Sequence, residues 1–117
     1  QSKRRPGFPF GSVVNYALDD WGRPVFLFST LAVHTKNLLE DGRASFLVCS
    51  PDAERDAVTA SRLALMGEVT EVPEDEREAI KGIYLAKHPG AVEYAEFSDF
   101  DFFRFHTADS YYVGGFG

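Results

Sequence analysis

Short apolar runs, separated by glycine, proline and charged residues, dominate the hydrophobic pattern of this chain. Runs of this kind, rich in β-branched and aromatic residues, are typical of strands and are too short to be amphipathic helices. The pattern predicts strands at 13–18, 25–28, 44–49, 62–72 and 100–112, the last broken by a turn near Ala108-Asp109. The predicted fold class is therefore mainly β, or α+β when the helices are counted.

The turn Asp19-Asp20-Trp21-Gly22 joins the first two predicted strands into a hairpin. Tryptophan is an unusual turn residue, so Trp21 is expected either to fold back over the end of the sheet, which we favour, or to contact a partner. Farther along, Gly67 interrupts the strand at 62–72. A glycine inside a strand often marks a bulge or a bend, and a bend here would help the sheet curl into a barrel.

The strongest helix signal lies at 73–88. Pro73 suits the first helical position, acidic residues precede basic ones along the segment, and Pro89-Gly90 ends it. The predicted apolar stripe consists of Ala79, Ile80, Ile83 and Tyr84. A further short helical piece is expected within 91–97, and 50–61 is predicted to be a loop.

A short helix is also expected between the strands at 25–28 and 44–49, in the stretch STLAVHTKNLLEDG. Ser29 and Thr30 precede this helix, and Asp41-Gly42 can end it, because glycine adopts the left-handed conformation without steric cost. The residues expected on its buried side are Leu31, Leu38 and Leu39.

The most informative polar residues lie at the front of this short helix, in the run His34, Thr35, Lys36 and Asn37. The free N–H groups and the positive dipole end of a helix N-terminus favour an anion such as a phosphate or a carboxylate. Lys36 adds a compact positive charge with three donors. The alternative interpretation is structural only: Thr30 or Thr35 caps the helix and Lys36 points into water.

The composition narrows the possible functions. A chain of 117 residues is long enough for one domain with a single core, and a net charge of −6 disfavours a nucleic-acid partner. The single cysteine, Cys49, excludes an internal disulfide and a cysteine-cluster metal site, and we expect it to be a small buried hydrophobe. No apolar run is long enough to span a membrane, so an intracellular, reducing compartment is expected.

Acidic residues near the end of the chain offer a competing site. The carboxylates of Glu93, Glu96, Asp99 and Asp101 suit acid-base chemistry or a metal ion. Their alternation with aromatic residues in YAEFSDFDFF instead favours a strand edge with the acids facing water, which is the interpretation we adopt. The sequence has no Ser-His-Asp order, P-loop or zinc-ligand spacing, which disfavours a hydrolase or a nucleotide-triphosphate enzyme.

Three segments, GFPFGSVV, LAVHTKNL and VGGFG, resemble in order and spacing the FMN-binding split-barrel family, the fold of pyridoxamine phosphate oxidases. More narrowly, they resemble the branch of HugZ-type haem-degrading proteins, which includes plant proteins that bind glutamyl-tRNA reductase. The resemblance implies a six-stranded antiparallel split β-barrel with short covering helices, and a homodimer with its cofactor between the subunits. It implies one domain over residues 1–117 that lacks the first strand of the family and any C-terminal extension. Because Gln1 is not a natural start, we expect preceding residues in the full protein.

In flavin-using relatives, the resemblance implies that basic barrel residues and a Ser/Thr and a Lys of the strand-helix unit hold the FMN phosphate. Lys36 matches that lysine, and Ser29 or Thr30 matches the hydroxyl. The other two basic positions fall at about Ser12 and Ala17, so both charges are missing here. Each lost charge-assisted hydrogen bond costs roughly 1.5–3 kcal/mol, so FMN affinity should fall by about two orders of magnitude or more. FMN binding is therefore expected to be weak, and an FMN-dependent oxidoreductase is the alternative function.

The resemblance to the HugZ-type branch implies haem or a related tetrapyrrole as the ligand, in a protein that degrades it or only carries or senses it. Lys36, His34 and the helix N-terminus suit the propionates. His34 is also the candidate iron ligand, because it lies in the predicted groove, whereas His88 is expected to cap a helix and His106 to line an edge strand. A regulatory version would dock on a tetrapyrrole-pathway enzyme through its acidic surface, in the cytoplasm or the plastid stroma. The residues expected to contact the cofactor are Ser12, Ser29, Thr30, His34, Thr35, Lys36 and Asn37.

Overall fold

The computed structural model describes residues 11–50 and 60–114, which form five strands, two α-helices and two short 3₁₀ helices. In chain order the elements are β1 (Ala17–Leu18), β2 (Pro24–Ser29), α1 (Val33–Glu40), β3 (Arg43–Cys49), β4 (Ser61–Glu71), a 3₁₀ helix (Glu74–Glu76), α2 (Arg77–Lys87), a second 3₁₀ helix (Pro89–Glu93) and β5 (Phe100–Gly114). Most of the predicted loop at 50–61, the residues GFPF at 7–10 and the final GFG lie outside the described residues. In the described ranges, no helix has the length and apolar character needed to cross a membrane.

The strands form one antiparallel sheet in the order β1-β2-β5-β4-β3. The predicted number of six strands is corrected to five for the described part of the chain, because β5 continues without the expected turn near Ala108-Asp109. Tyr111, Tyr112 and Val113 are strong strand formers, which favours this continuation. β1 and β3 are the ends of the order, so the described strands do not close into a ring.

The contacts of the chain divide the described residues into two compact units. The first contains residues 11–42 and 69–106, and therefore α1, α2, β1, β2, the end of β4 and the first part of β5. The second contains residues 43–50, 60–68 and 107–114, and therefore β3 with the remaining parts of β4 and β5.

The core of the first unit is built on both faces of β2. Its residues 24–28 are all buried, which explains why this segment is apolar without the alternation of a half-exposed strand. One face of β2 packs against α2. The large side chains that meet there are Val25, Leu27, Ile80, Tyr84 and Phe102.

The opposite face carries a buried layer of phenylalanines, named here the aromatic layer: Phe26, Phe28, Phe103 and Phe105. Phe26 lies opposite Phe103 in the β2–β5 register, and residues two apart on a strand share a face. The rings of Phe26 and Phe28 stack with centroids 5.1 Å apart, and Phe28 and Phe103 are 5.5 Å apart. The sheet of the first unit is therefore buried on both sides.

Helix α2 begins later than predicted, because residues 74–76 form a 3₁₀ turn before the α-helix starts at Arg77. Ile80 and Tyr84 of the predicted stripe are buried, whereas Ala79 is exposed. His88 ends the helix as predicted, and its Nε2 donates to the carbonyl of Tyr16 at 2.6 Å. The short helical piece expected within 91–97 is the second 3₁₀ helix, which begins earlier, at Pro89.

The predicted hairpin forms between β1 and β2, and the side chain of Asp19 holds its turn. Asp19 Oδ1 accepts the backbone N–H groups of Trp21 at 3.0 Å and Arg23 at 2.8 Å, and Gly22 has a φ of +76°. A positive φ favours glycine, which explains its place in the turn. The expectation that Trp21 folds back is wrong: the residue is 83% exposed at the tip of this fixed turn.

A buried ion network joins this hairpin to the start of α2. Asp19 Oδ2 accepts hydrogen bonds from Arg23 Nε at 2.8 Å and Arg104 Nε at 3.1 Å, and Arg104 Nη2 donates to Glu76 at 2.8 Å. The side chains of Asp19 and Arg104 are only 2% and 6% exposed. Burial alone would raise the pKa of Asp19, but the N–H groups of Arg23 and Trp21 and the Arg23 guanidinium outweigh it and hold the pKa below its usual value.

In the second unit, β3 and β4 pair one for one from Arg43–Glu68 to Cys49–Arg62. This regular register leaves no bulge at Gly67 in the pairing of β4 with β3, and the alternative of a bend there stays a prediction. Cys49 is exposed rather than buried, because it stands on the outward side of the alternating strand β3 at the end of the sheet. Leu47 and Met66 are exposed apolar residues of the same two strands.

Candidate functional site

Helix α1 confirms the predicted short helix, but its buried side differs from the prediction. The side chains that it buries are the polar Thr35 and Asn37, whereas Leu31 is 68% exposed and Leu39 is exposed. The difference follows from where the helix begins. The α-helix starts at Val33, so Leu31 lies in the turn before it. Leu39 points about 100° around the helix axis from the half-buried Leu38, and therefore away from the buried side. A helix with polar residues inside and apolar residues outside is unusual for a surface helix.

The front of α1 is not closed by a side chain. Ala32 is the N-cap and makes no side-chain cap hydrogen bond, so Thr30 and Thr35 do not cap the helix. The helical ladder begins with Lys36 N–H, which donates to the carbonyl of Ala32 at 3.1 Å. The N–H groups of residues 33–35 therefore have no partner inside the helix. At the other end Asp41, in an extended conformation, is the C-cap, and Gly42 does not adopt the expected left-handed conformation.

His34 is half-buried on the inner side of α1, against the aromatic layer. Its ring meets Phe28 edge to face, with centroids 4.5 Å apart and an interplanar angle of 74°. Its Nδ1 lies 3.5 Å from the hydroxyl of the fully buried Thr35. Burial lowers the pKa of His34, so its imidazole is neutral at pH 7. A neutral imidazole is the form that binds a metal ion.

Lys36 is exposed near the same end of α1. A cation gains nothing from the positive dipole end of a helix, so helix stability does not explain a lysine at this position. No carboxylate in residues 11–50 and 60–114 forms an ion pair with it. The helix-front site is defined here as Phe28, His34, Lys36 and the first N–H groups of α1. The imidazole of His34 faces the aromatic layer, and the ammonium group of Lys36, two residues later, faces outward.

The two hydroxyls ahead of α1 shape the turn that leads into it. Ser29 Oγ accepts the N–H of Leu31 at 3.2 Å. Thr30 donates both its N–H, at 2.6 Å, and its hydroxyl, at 3.1 Å, to the carbonyl of Asp99. Ser29 and Thr30 therefore position the front of α1 through hydrogen bonds to the backbone of the turn and of the segment before β5.

The remaining predicted positions are placed differently. Asn37 is buried in α1, and Ser12 is exposed, with no described contact that joins it to the helix. Ala17 is buried in the core on the α2 side of the sheet, opposite Val25, whereas α1 contacts the other side through Phe28. The position at which flavin-binding relatives are expected to have a cation therefore points away from the helix-front site.

The other two histidines of the chain, His88 and His106, make contacts away from the helix-front site. His88 Nε2 donates to a backbone carbonyl, and its ring lies 4.9 Å from that of Tyr84. His106 lies within hydrogen-bond distance of the Thr70 hydroxyl, 2.9 Å from its Nε2. Its strand, β5, stands between β2 and β4, so the prediction that His106 lines an edge strand is wrong.

The acidic residues near the chain end do not form a shared site. Asp101 pairs with Arg77 at 3.6 Å, and Glu96 pairs with Lys81. Among the described residues, no group of His, Cys, Asp and Glu side chains is arranged to hold a metal ion. The adopted interpretation of these acids as water-facing holds for Glu93 and Glu96, which are exposed.

Sequence reasoning missed the aromatic layer beneath His34. Two signals pointed to it: the unbroken apolar run PVFLF in β2, and Phe103 and Phe105 two residues apart in β5. The first indicates burial on both faces, and the second places two rings on one face. Nothing in either segment alone indicates that α1 covers that face.

Residues 1–117 match the sequence profile of the family described as CREG, beta-barrel. The chain belongs to the CREG β-barrel family. The expected split-barrel relationship is thereby confirmed at the level of the superfamily, to which this family belongs together with the FMN-binding fold.

Relatives of this CREG β-barrel chain include proteins named for haem. "Non-canonical heme oxygenase HOZ, chloroplastic" of Arabidopsis thaliana is 39% identical over 114 residues, which are 97% of this chain and 34% of that protein. A haem-binding protein from Mycobacterium smegmatis is 33% identical with a TM-score of 0.88, over 99% of this chain and 48% of that one. Atu2129 of Agrobacterium tumefaciens, of unknown function, is 28% identical with a TM-score of 0.88, over 93% of this chain and 46% of that one. The chain thus spans about a third of the length of the curated relative and about half of these two structures.

Proposed function

We propose that this CREG β-barrel domain binds haem at the helix-front site, where His34 would hold the iron. The observation that carries the proposal is the state of His34: it is neutral, half-buried and packed edge to face on Phe28. Its Nδ1 lies beside the Thr35 hydroxyl, and its Nε2 makes no hydrogen bond to a described residue. A ligating histidine commonly has one nitrogen on the metal and the other on a hydrogen-bond partner.

The rest of the site suits the other parts of the same ligand. Haem is a flat apolar ring with two carboxylates, and it supplies iron chemistry when it is bound. The ammonium group of Lys36 and the N–H groups at the front of α1 suit a propionate. The Arabidopsis and mycobacterial relatives, named as a haem oxygenase and a haem-binding protein, support the same ligand.

We place the domain in the HugZ-type branch as part of this proposal, and we treat FMN as the weaker candidate ligand. FMN carries a phosphate dianion, and only Lys36 of the three expected cationic positions is basic. Ala17 is buried on the other side of the sheet, and Ser12 supplies no charge. The flavin alternative therefore depends on Lys36, Ser29 and Thr30 alone, and the last two already have backbone partners.

The proposal is tested by equilibrium titration of the purified protein with haemin and, separately, with FMN. Haemin is expected to give a saturable Soret band at one equivalent per chain, and FMN to bind at least about a hundredfold more weakly. Protein that contains stoichiometric flavin, or that shows no saturable Soret change, would contradict the proposal.

A second experiment separates haem turnover from haem binding. Oxygen and a reductant are added to the haemin-loaded protein, and turnover would bleach the Soret band.

Replacing Lys36 with Ala is expected to weaken haemin binding by about tenfold at low ionic strength and by less in salt, because an exposed charge-assisted contact is screened. The Soret position should not move, since the iron ligand is intact. Lys87→Ala, which removes an exposed lysine from the end of α2, is the matched control and should bind as the original protein does. Equal affinities for Lys36→Ala and Lys87→Ala would exclude Lys36 from the site.

We also propose, from the resemblance to split-barrel proteins, that the domain forms a homodimer in the cytoplasm or a plastid. The second unit supports a partner surface: among its described residues only Ala60 is buried, and Leu47, Met66, Tyr111 and Tyr112 are exposed. Exposed apolar residues of this number are typical of interaction surfaces. Sedimentation at micromolar concentration measures the oligomeric state, and a monomer at that concentration would refute the homodimer.

We also keep a tetrapyrrole-pathway enzyme as the proposed heterologous partner. A pull-down with that enzyme tests this proposal.

A further inference from the structure

The turn of the β1–β2 hairpin presents the single tryptophan of the chain to solvent. Trp21 is 83% exposed, although its backbone is fixed, because its N–H donates to Asp19 Oδ1 at 3.0 Å. Two backbone hydrogen bonds of 2.9 Å close the turn, from Gly22 N–H to the Asp19 carbonyl and from Asp19 N–H to the Arg23 carbonyl. A partner that contacts this indole therefore orders little of the chain, which lowers the entropic cost of binding.

The charge next to the indole that lacks an ion-pair partner is negative. Asp20, which directly precedes Trp21, is exposed and forms no ion pair with a described residue. The two cations of the turn are engaged, because Arg23 Nε and Arg104 Nε donate to Asp19 Oδ2 at 2.8 and 3.1 Å. The turn thus offers an aromatic ring beside a carboxylate that no described cation compensates.

Further acids lie on the element that Arg104 joins to this turn. Arg104 Nη2 donates to Glu76 at 2.8 Å, so one guanidinium group holds the turn to the 3₁₀ helix of residues 74–76. Glu74 and Asp75 are exposed, and neither forms an ion pair with a described residue. Their carboxylates add to the negative potential around the turn.

We infer that the β1–β2 turn docks a basic segment of another protein, with an arginine side chain stacked on the ring of Trp21 and paired with Asp20. A guanidinium group over an indole is attracted by the face of the ring, and an adjacent carboxylate adds a charge-assisted hydrogen bond. Tryptophan and arginine are also the side chains that most often dominate the binding energy of protein interfaces. The inference goes beyond haem binding and does not depend on it.

The same charges disfavour other partners that use an exposed tryptophan. Bases of single-stranded nucleic acid stack on aromatic rings, but their phosphates require cations, and the available charges at this turn are acidic. An anionic membrane surface is repelled for the same reason. A second copy of this chain carries a net charge of −6 and is therefore also a poor partner for an acidic turn.

The test adds a peptide of alternating arginine and alanine to the whole chain, labelled with nitrogen-15. Because Trp21 is the single tryptophan, its indole N–H gives one resolved signal that reports directly on the turn. The arginine peptide is expected to shift this signal saturably at low ionic strength, and a peptide of alternating glutamate and alanine should not. A lysine–alanine peptide should bind about threefold more weakly, since lysine lacks the planar group that stacks on an aromatic face.

Variants measure the contribution of each group, with the arginine peptide carrying a fluorescent label and its anisotropy as the readout. Trp21→Ala is expected to weaken binding about fivefold, and Asp20→Asn about threefold with a smaller effect in salt. Trp21→Tyr should retain most of the affinity. Phe97→Ala is the matched control: Phe97 is a 55% exposed aromatic next to an acid, but that acid, Glu96, is paired with Lys81. It should bind the peptide as the original protein does.

An indole signal that does not shift with the arginine peptide would overturn the docking site, as would unchanged affinity in Trp21→Ala. An equal loss in Phe97→Ala would also overturn it, because the peptide would then be responding to the acidity of the chain as a whole. Haemin titration of Trp21→Ala separates the two proposals, since haemin should bind this variant as it binds the original protein. Haemin binding without peptide binding would overturn the docking site alone, and peptide binding without haemin binding would overturn the proposed function alone.

Discussion

Replacing Asp19 with Asn is expected to lower the free energy of unfolding by about 3 kcal/mol and the Tm by roughly 10 °C. The carboxylate is almost fully buried, and it is the shared acceptor for the guanidinium groups of Arg23 and Arg104. Removing its charge leaves Arg104 buried with Glu76 alone, and breaking a buried pair typically costs more than the pair contributes. Denaturant unfolding monitored by circular dichroism measures the change.

Asp20 provides the matched control, because it is the neighbouring acid of the same turn but is exposed. Asp20→Asn is expected to change stability by less than about 0.5 kcal/mol. The pH dependence gives a second check. Since the folded pKa of Asp19 lies below its ordinary value of 3.8, its contribution is complete above that value and is lost as pH falls through the folded pKa. The difference between the Asp19→Asn protein and the original should therefore vanish in strong acid, and a difference that persists there would contradict the ion-network explanation.

Replacing His34 with Ala is expected to weaken haemin binding by about a hundredfold or more and to shift the Soret band to that of an unligated or water-ligated iron. Loss of only a hydrogen-bond partner of a metal ligand costs about 10–100-fold, so loss of the ligand itself should reach at least the upper end of that range. Metal-free protoporphyrin IX should bind almost as before, because it makes no iron bond. The two titrations on one variant measure the contribution of the iron–imidazole bond.

His106→Ala is the control, since His106 is exposed and its described partner is Thr70. Imidazole added to the His34→Ala protein should restore the Soret position by entering the space beside Phe28. Binding should also be constant above pH 6.5 and weaken at lower pH, as the lowered pKa of His34 is approached and the imidazole is protonated. A His34→Ala protein with an unchanged Soret band would assign the iron to another ligand.

The strands were predictable because their signals are local. The apolar runs at 25–28 and 46–49 indicate β2 and β3 without reference to the rest of the chain. The buried side of α1 was not predictable, because it depends on where the helix begins. That point follows the Thr30–Asp99 hydrogen bonds, which join residues 69 positions apart. The Asp19–Arg104 pair spans 85 positions and is equally hidden from local patterns.

The candidate site was predictable only where its signals are local in the sequence. His34 and Lys36 follow from their place near a helix N-terminus, which a sequence shows directly. The aromatic layer beneath His34 requires the pairing of β2 with β5. Ala17 illustrates the reverse case: the resemblance assigned it to a phosphate site, but the β1–β2 pairing turns its side chain into the core under α2.

The most direct test of the account is the position of the ligand, measured by amide chemical-shift changes in labelled protein on addition of gallium protoporphyrin IX, a diamagnetic substitute for ferric haem. The account predicts that the largest changes fall on residues 29–37. Changes concentrated in residues 43–50 and 60–68, with residues 29–37 unaffected, would contradict it.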